Sequence, residues 1–146
     1  RFRSAVIEPG AWLLPAMLYV ESNAMRAGDT ATLEADRWSS YRHHIGIEAS
    51  PLVSDHSIYW ELGNTPFERQ SNYRALALEG LSGKTLATLQ KHAHSGWPLG
   101  DDAFLAQLER HATRRIHPLP KGRPRKSTES ESEHTGDTED FDSAPT

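Results

Sequence analysis

The 146-residue sequence predicts a mainly α fold, a small helical array followed by an extended, charged C-terminal stretch. Three observations carry that expectation. Apolar residues recur at three- and four-residue spacing in several segments instead of alternating, which is the helical period. Capping residues and glycines punctuate those segments, as in Thr65-Pro66-Phe67-Glu68 before one and Gly80 after it. After Ile116 the composition changes, first to a basic Pro/Gly-containing run and then to Ser, Thr, Glu and Asp, a mixture with too little apolar surface to pack.

In chain order, Arg1 to Ile7 alternates loosely and reads as an entering strand or extended lead-in. Glu8-Pro9-Gly10 reads as the mouth of a helix, with Pro9 in the first turn, where its missing N–H does no harm. From Ala11 to Asn23 the residues Trp12, Leu13, Ala16, Met17 and Val20 form an apolar set at helical spacing, and Gly28 is the stop. Pro15 should bend this helix or make it restart there, because an interior proline removes a hydrogen bond. Asp36 to His44 predicts one or two helical turns, with Trp38 and Tyr41 packing on one side. Asp55 to Gly63 holds a short apolar element containing Ile58, Tyr59, Trp60 and Leu62. The helix opened by Thr65 should run to about Glu79 with Tyr73, Leu76 and Ala77 inward. A second runs from Ser82 or Gly83 to about His92 on Leu86 and Leu89, and a last, capped by Asp101, carries Phe104, Leu105 and Leu108 to about Arg114. Between them, Gly96-Trp97-Pro98-Leu99-Gly100 reads as a turn anchored by its tryptophan.

The length suits one domain with a modest core. Hydrophobic residues make up 36% and the mean hydropathy is −0.66, a deficit that the tail explains. Ser127 to Thr146 contains seven acidic residues and no Lys or Arg, so removing it from the net charge of −4 leaves residues 1 to 126 at +3. A mildly basic body with an acidic, disordered tail points to a polyanionic partner. Cysteine is absent, which excludes disulfides, thiolate zinc sites and cysteine nucleophiles. No apolar run approaches the roughly 20 residues that span a bilayer, so no membrane partner is expected. Arg1-Phe2-Arg3-Ser4 carries neither an initiator Met nor a signal pattern, and the chain reads as a fragment that starts mid-stream.

The stretch from Leu18 to Gly28 holds the chemistry. Tyr19 and Asn23 are four residues apart and share a face if the segment is helical. A phenol can attack phosphorus as a covalent nucleophile, and a carboxamide oxygen can ligate the hard cation such chemistry uses. The alternative is a half-buried tyrosine beside a capping asparagine. The sequence has no P-loop, GxGxxG, GxSxG or HExxH pattern. His43-His44 and His92-Ala93-His94 are its histidine clusters, and the second falls at a helix end, where residues two apart face different ways. Lys121-Gly122-Arg123-Pro124-Arg125-Lys126 has the core of an AT-hook, whose Arg-Pro-Arg lies along a narrow A·T-rich minor groove. Its alternative is a basic linker that binds phosphates without sequence preference.

Several of these stretches, in order, resemble the C-terminal half of the REP-associated tyrosine transposases, members of the His-hydrophobe-His class of insertion-sequence transposases. They are Arg1-Phe2-Arg3-Ser4, Tyr19 through Gly28 against a pattern similar to Tyr-Ile-Glu-Leu-Asn-Pro-Val-Arg-Ala-Gly, and Trp38-Ser39-Ser40-Tyr41-Arg42. Leu62-Gly63 to Tyr73-Arg74-Ala75-Leu76, Gly96-Trp97-Pro98-Leu99-Gly100, Phe104-Leu105 and Gly122-Arg123-Pro124-Arg125-Lys126 extend the match. The resemblance implies DNA transposition, with single-stranded or hairpin DNA as partner and a location at the nucleoid of a bacterial cytoplasm. It implies Tyr19 as the nucleophile that forms a 5′-phosphotyrosine, and Asn23 as a ligand of Mg²⁺ or Mn²⁺ beside two motif histidines expected upstream. Arg26, Lys121, Arg123, Arg125 and Lys126 are the implied DNA contacts.

On this reading residues 1–28 end the catalytic domain of an α+β, ferredoxin-like transposase. Residues 29–116 form a helical C-terminal region, 117–126 the AT-hook-like segment and 127–146 the tail. The His-hydrophobe-His motif of the family lies ahead of the tyrosine helix and is missing from this sequence, while Ala24 stands where the pattern has proline, Ser22 where it has an apolar residue, and Pro15 lies in the tyrosine helix, so a truncated product, inactive alone, is expected. The alternative function is a non-catalytic helical module that binds DNA or another protein.

Overall fold

Pro15 settles where the first helix begins. In the computed structural model, which describes residues 4–119 and Gly122, α1 spans Leu13–Glu21 and places Pro15 at its third position. There the backbone nitrogen would have no intrahelical acceptor, so the ring removes nothing and no kink is needed. The expected opening at Pro9 is therefore corrected: residues 9–12 form turns. The lead-in instead pairs across the molecule, where Ile7 and Leu99 form an isolated parallel bridge with Glu8 N donating to Leu99 O at 2.8 Å and Leu99 N to Val6 O at 2.9 Å.

One residue, Ser22, separates α1 from α2, Asn23–Ala27, which Gly28 closes at a φ of +82°, a left-handed conformation that glycine adopts without a Cβ clash. Two single-turn helices follow, α3 at Tyr41–His44 and α4 at Ser57–Trp60. The remaining three are α5, Pro66–Glu79, α6, Gly83–Ser95, and α7, Asp102–His111.

Sequence punctuation sets the ends of the later helices. Thr65 Oγ1 accepts from Glu68 N at 3.2 Å while Glu68 Oε2 accepts from Thr65 N at 3.1 Å, a reciprocal cap that starts α5 with Pro66 in its first turn. Ser82 and Asp101 cap α6 and α7 in the same sense, through Thr85 N at 3.1 Å and Phe104 N at 2.7 Å. The α6 helix runs three residues past the expected end at His92, because the left-handed residue that can terminate it is Gly96. Conversely α7 stops at His111, where Ala112 turns extended.

Two apolar clusters share α1. Leu18 joins Leu33, Tyr41, Ile45, Tyr59 and Tyr73, while Ala16 joins Leu89 and Leu99, with Leu81 packed against both. Because α1 turns one face to each cluster, Val20 is left outside at 62% exposure, which corrects its expected place in the apolar set. Trp38 is corrected as well: it is 98% exposed and does not pack beside Tyr41. Its backbone N–H donates to Asp36 Oδ1 at 2.9 Å in a turn, and α3 starts only at Tyr41, so the helical spacing between the two never operates. In the turn after α6 the buried anchor is Leu99 at 5%, while Trp97 is half-buried.

Among the described residues there is no β-strand beyond the single bridge, and no helix is long and apolar enough to cross a membrane. The expected acidic tail lies outside the described residues. Replacing Thr65 by Ala removes one half of the α5 cap, and the expected loss of unfolding free energy in a urea titration is about 0.5–2 kcal/mol.

Candidate functional site

The α1–α2 junction brings together the three residues singled out in that stretch. Ser22 interrupts the helix only slightly, since Ser22 N still donates to Leu18 O at 3.0 Å and Arg26 N to Ser22 O at 2.9 Å. Tyr19 and Asn23 therefore stay one turn apart, and Arg26 links them. Its Nη2 donates to the Tyr19 carbonyl at 2.9 Å and to Asn23 Oδ1, its Nε donates to Ser22 Oγ at 3.2 Å, and its guanidinium carbon lies 4.3 Å from the centre of the Tyr19 ring. Stacking of a cation on a ring face contributes about 0.5–1 kcal/mol at an exposed position. The Tyr19 ring is half-buried against the cluster of Ala16, Leu89 and Leu99, which fixes its direction, while Asn23 and Arg26 are exposed.

Mg²⁺ or Mn²⁺ does not fit the residues described. Asn23 offers one oxygen, that oxygen already accepts from a guanidinium, and a divalent ion beside it would face a like charge. Among the described residues no group of three or more His, Asp and Glu side chains is placed to hold a metal. His92 and His94 are separated as the helix period requires, with Nδ1 of the first on Trp97 O at 3.0 Å and of the second on Gln90 O at 2.8 Å. Lys121, Arg123, Arg125 and Lys126 lie outside the described residues.

The other face of α1 carries an arrangement that the sequence reading missed. Glu21 is 2% exposed, and its carboxylate accepts from Ser40 Oγ at 2.6 Å, His44 Nδ1 at 2.7 Å and Tyr73 Oη at 2.7 Å. A carboxylate only accepts, which assigns the Nδ1 proton of His44. The His44 ring sits among tyrosines, 4.9 Å from Tyr73 and 5.1 Å from Tyr59 between ring centres, and its carbonyl accepts from Tyr59 Oη at 2.7 Å. Asp55 Oδ1 lies 3.4 Å from His43 Nε2 and 3.7 Å from His44 Nε2, and it has no hydrogen-bond partner among the described residues. Burial first, and then the Glu21 charge, pushes the Tyr73 phenol far above its ordinary value; burial followed by Asp55 raises Tyr59, and burial followed by Glu34 raises Tyr41. Glu21, His44 and Tyr73 are all closed off from solvent, and the hydrogen bonds among them tie α1, α3 and α5 together.

A sequence signal for it exists. Leu14, Leu18 and Glu21 follow one another at spacings of four and three, so Glu21 stands on the inward stripe of α1 and needs buried donors. A third feature is a groove of about 410 Å³ around Arg37, Trp38, Arg42, Leu52 and Val53, in which Trp38 and Leu52 are almost wholly exposed. No protein-family model, curated protein or solved structure matches the chain, so a functional reading is carried by these residues themselves.

Removing the Glu21 side chain strands the Tyr73 hydroxyl and the His44 imidazole in the core and unpairs the half-buried Ser40 hydroxyl. For Glu21→Ala the expected loss in urea unfolding is about 3–5 kcal/mol. A raised tyrosine pKa makes stability fully present below the unfolded value near 10 and lost as pH rises above it, because only the unfolded chain then releases the proton. Each of the three raised tyrosines should steepen that alkaline loss by up to about 1.4 kcal/mol per pH unit, and Tyr73→Phe should make the slope shallower by that amount.

Proposed function

We propose that the chain carries the nucleophile helix and a DNA-binding portion of a transposase that cleaves and rejoins single-stranded DNA beside hairpins. The α+β, ferredoxin-like origin of the fold and the location at the nucleoid belong to the same proposal. The observation that carries it is the joining of Tyr19, Asn23 and Arg26 into one half-exposed constellation at the α1–α2 junction. A tyrosine with one ring face against a rigid cluster and a cation on the ring suits attack on a phosphodiester.

In that step the Tyr19 phenolic oxygen bonds to phosphorus and the bond from phosphorus to the 3′-oxygen breaks. One strand keeps a free 3′-hydroxyl and the other a 5′-phosphotyrosine; the phenol gives its proton to solvent and the departing 3′-oxygen takes one back from it, so no net proton is released. Attack by a 3′-hydroxyl reverses the step and joins strands without a nucleotide cofactor. The Mg²⁺ or Mn²⁺ of this reading draws its ligands from histidines that the resemblance places upstream. Lys121, Arg123, Arg125 and Lys126 add phosphate contacts in the AT-hook-like segment.

A second reading, a non-catalytic module that binds DNA or another protein, is favoured by one observation. Trp38 at 98% and Leu52 at 93% exposure present apolar surface beside Arg37, which a partner would cover. The two are separated with a labelled hairpin oligonucleotide and Mg²⁺ or Mn²⁺, using the chain alone and the chain fused behind a family segment that carries the His-hydrophobe-His strand. The transposase reading expects salt-sensitive binding by the chain alone, and in the fusion a covalent adduct that Tyr19→Phe abolishes. Binding without an adduct in the fusion rejects the nucleophile and leaves the second reading, whereas no binding at all rejects a DNA partner.

A further inference from the structure

The poor fit of a divalent ion at Asn23 has a local cause, and that cause points to a different ligand. Arg26 takes up the Asn23 oxygen and is itself held on three sides, by the Tyr19 carbonyl, Ser22 Oγ and the Tyr19 ring. Of the five N–H groups of a guanidinium, Nε–H and the two on Nη2 are used in these bonds. Both hydrogens of Nη1 have no partner among the described residues, and the side chain is exposed.

We propose that Arg26 is the phosphate-binding group of the Tyr19 site and that it holds a DNA backbone phosphodiester there without a divalent cation. The inference rests on the single-strand DNA reading above and specifies which charge meets the strand. A planar guanidinium already fixed by stacking and hydrogen bonds loses little freedom when it takes an anion, and its remaining N–H groups donate charge-assisted hydrogen bonds to phosphate oxygens. The position also suits the chemistry. Anchored to the backbone and ring of Tyr19, the guanidinium brings a bound phosphodiester alongside the phenol. A lysine would carry the charge but could not reproduce the fork that reaches Ser22, Asn23 and the Tyr19 carbonyl together.

The metal-ligand and guanidinium arrangements make opposite predictions for Arg26. Removing it frees Asn23 Oδ1 for a cation, but it deprives the strand of its anchor. The test is fluorescence anisotropy of the full chain with a labelled hairpin oligonucleotide, in EDTA and in Mn²⁺. Affinity should not rise when Mn²⁺ replaces EDTA at matched ionic strength, since no bound cation bridges the strand to the protein. Arg26→Ala should weaken binding about tenfold and lower the slope of log affinity against log salt by about 0.7–0.9. Arg26→Lys should restore the salt slope and only part of the affinity, and matched thermal melting by circular dichroism shows that both variants are folded. Paramagnetic resonance should find Mn²⁺ free in the presence of the native chain. Binding that EDTA and Asn23→Ala abolish, and that Arg26→Ala leaves unchanged, would overturn the inference while sparing the DNA reading. Absence of binding in every buffer overturns both.

Discussion

The buried carboxylate of Glu21 is the constraint on which the rest of the arrangement depends. It takes donors from Ser40 ahead of α3, from His44 within α3 and from Tyr73 in the middle of α5, residues 19, 23 and 52 positions away in the chain. A charge out of water is tolerable only when its acceptor sites are filled, so these three donors must all be in place together. The requirement is mutual. His44 and Tyr73 would each keep an unpartnered polar atom in the core without Glu21, and the short helix α3, which has little stability of its own, is positioned by this shared acceptor.

That constraint reaches the surface through α1. Residues two positions apart on a helix are turned about 200° from one another, so fixing Glu21 inward directs Tyr19 to the other side, against the second cluster of Ala16, Leu89 and Leu99. The candidate site is thus presented by a helix clamped from both faces, and Arg26, about two turns further on, closes over the tyrosine. The buried carboxylate and the half-exposed phenol are carried by different residues of the same nine-residue helix. The chemistry proposed at Tyr19 asks for a fixed phenol and a fixed positive charge, and both properties come from contacts that hold the fold.

How far the sequence can be read depends on the range of the interaction involved. The caps at Thr65, Ser82 and Asp101 and the stops at Gly28 and Gly80 were legible because each is settled within four residues. The opening of α1 is read a few positions early, at Pro9, whereas a restart near Pro15 agrees with the observed start at Leu13; the residues ahead of it answer to the pairing of Ile7 with Leu99, a contact across the molecule. Trp38 was read as packing from a spacing that assumes a helix, whereas a side-chain turn at Asp36 delays that helix past it. Glu21 went unnoticed although it matches the glutamate of the family pattern, because its partners lie too far along the chain for spacing to reveal. At the site, the four-residue relation of Tyr19 to Asn23 was visible in advance. The guanidinium that joins them was not, since a side chain's choice among acceptors is decided in three dimensions.

The claim that joins these levels is that a DNA strand lands on the α1–α2 junction through Arg26. Nuclear magnetic resonance of the labelled chain tests it most directly, by following backbone amides and arginine Nε–H signals as a hairpin oligonucleotide is added in EDTA. The largest shifts should fall on residues 19–28, with the Arg26 Nε–H signal among them. Shifts centred on residues 37–53 around Trp38, with residues 19–28 silent, would contradict it.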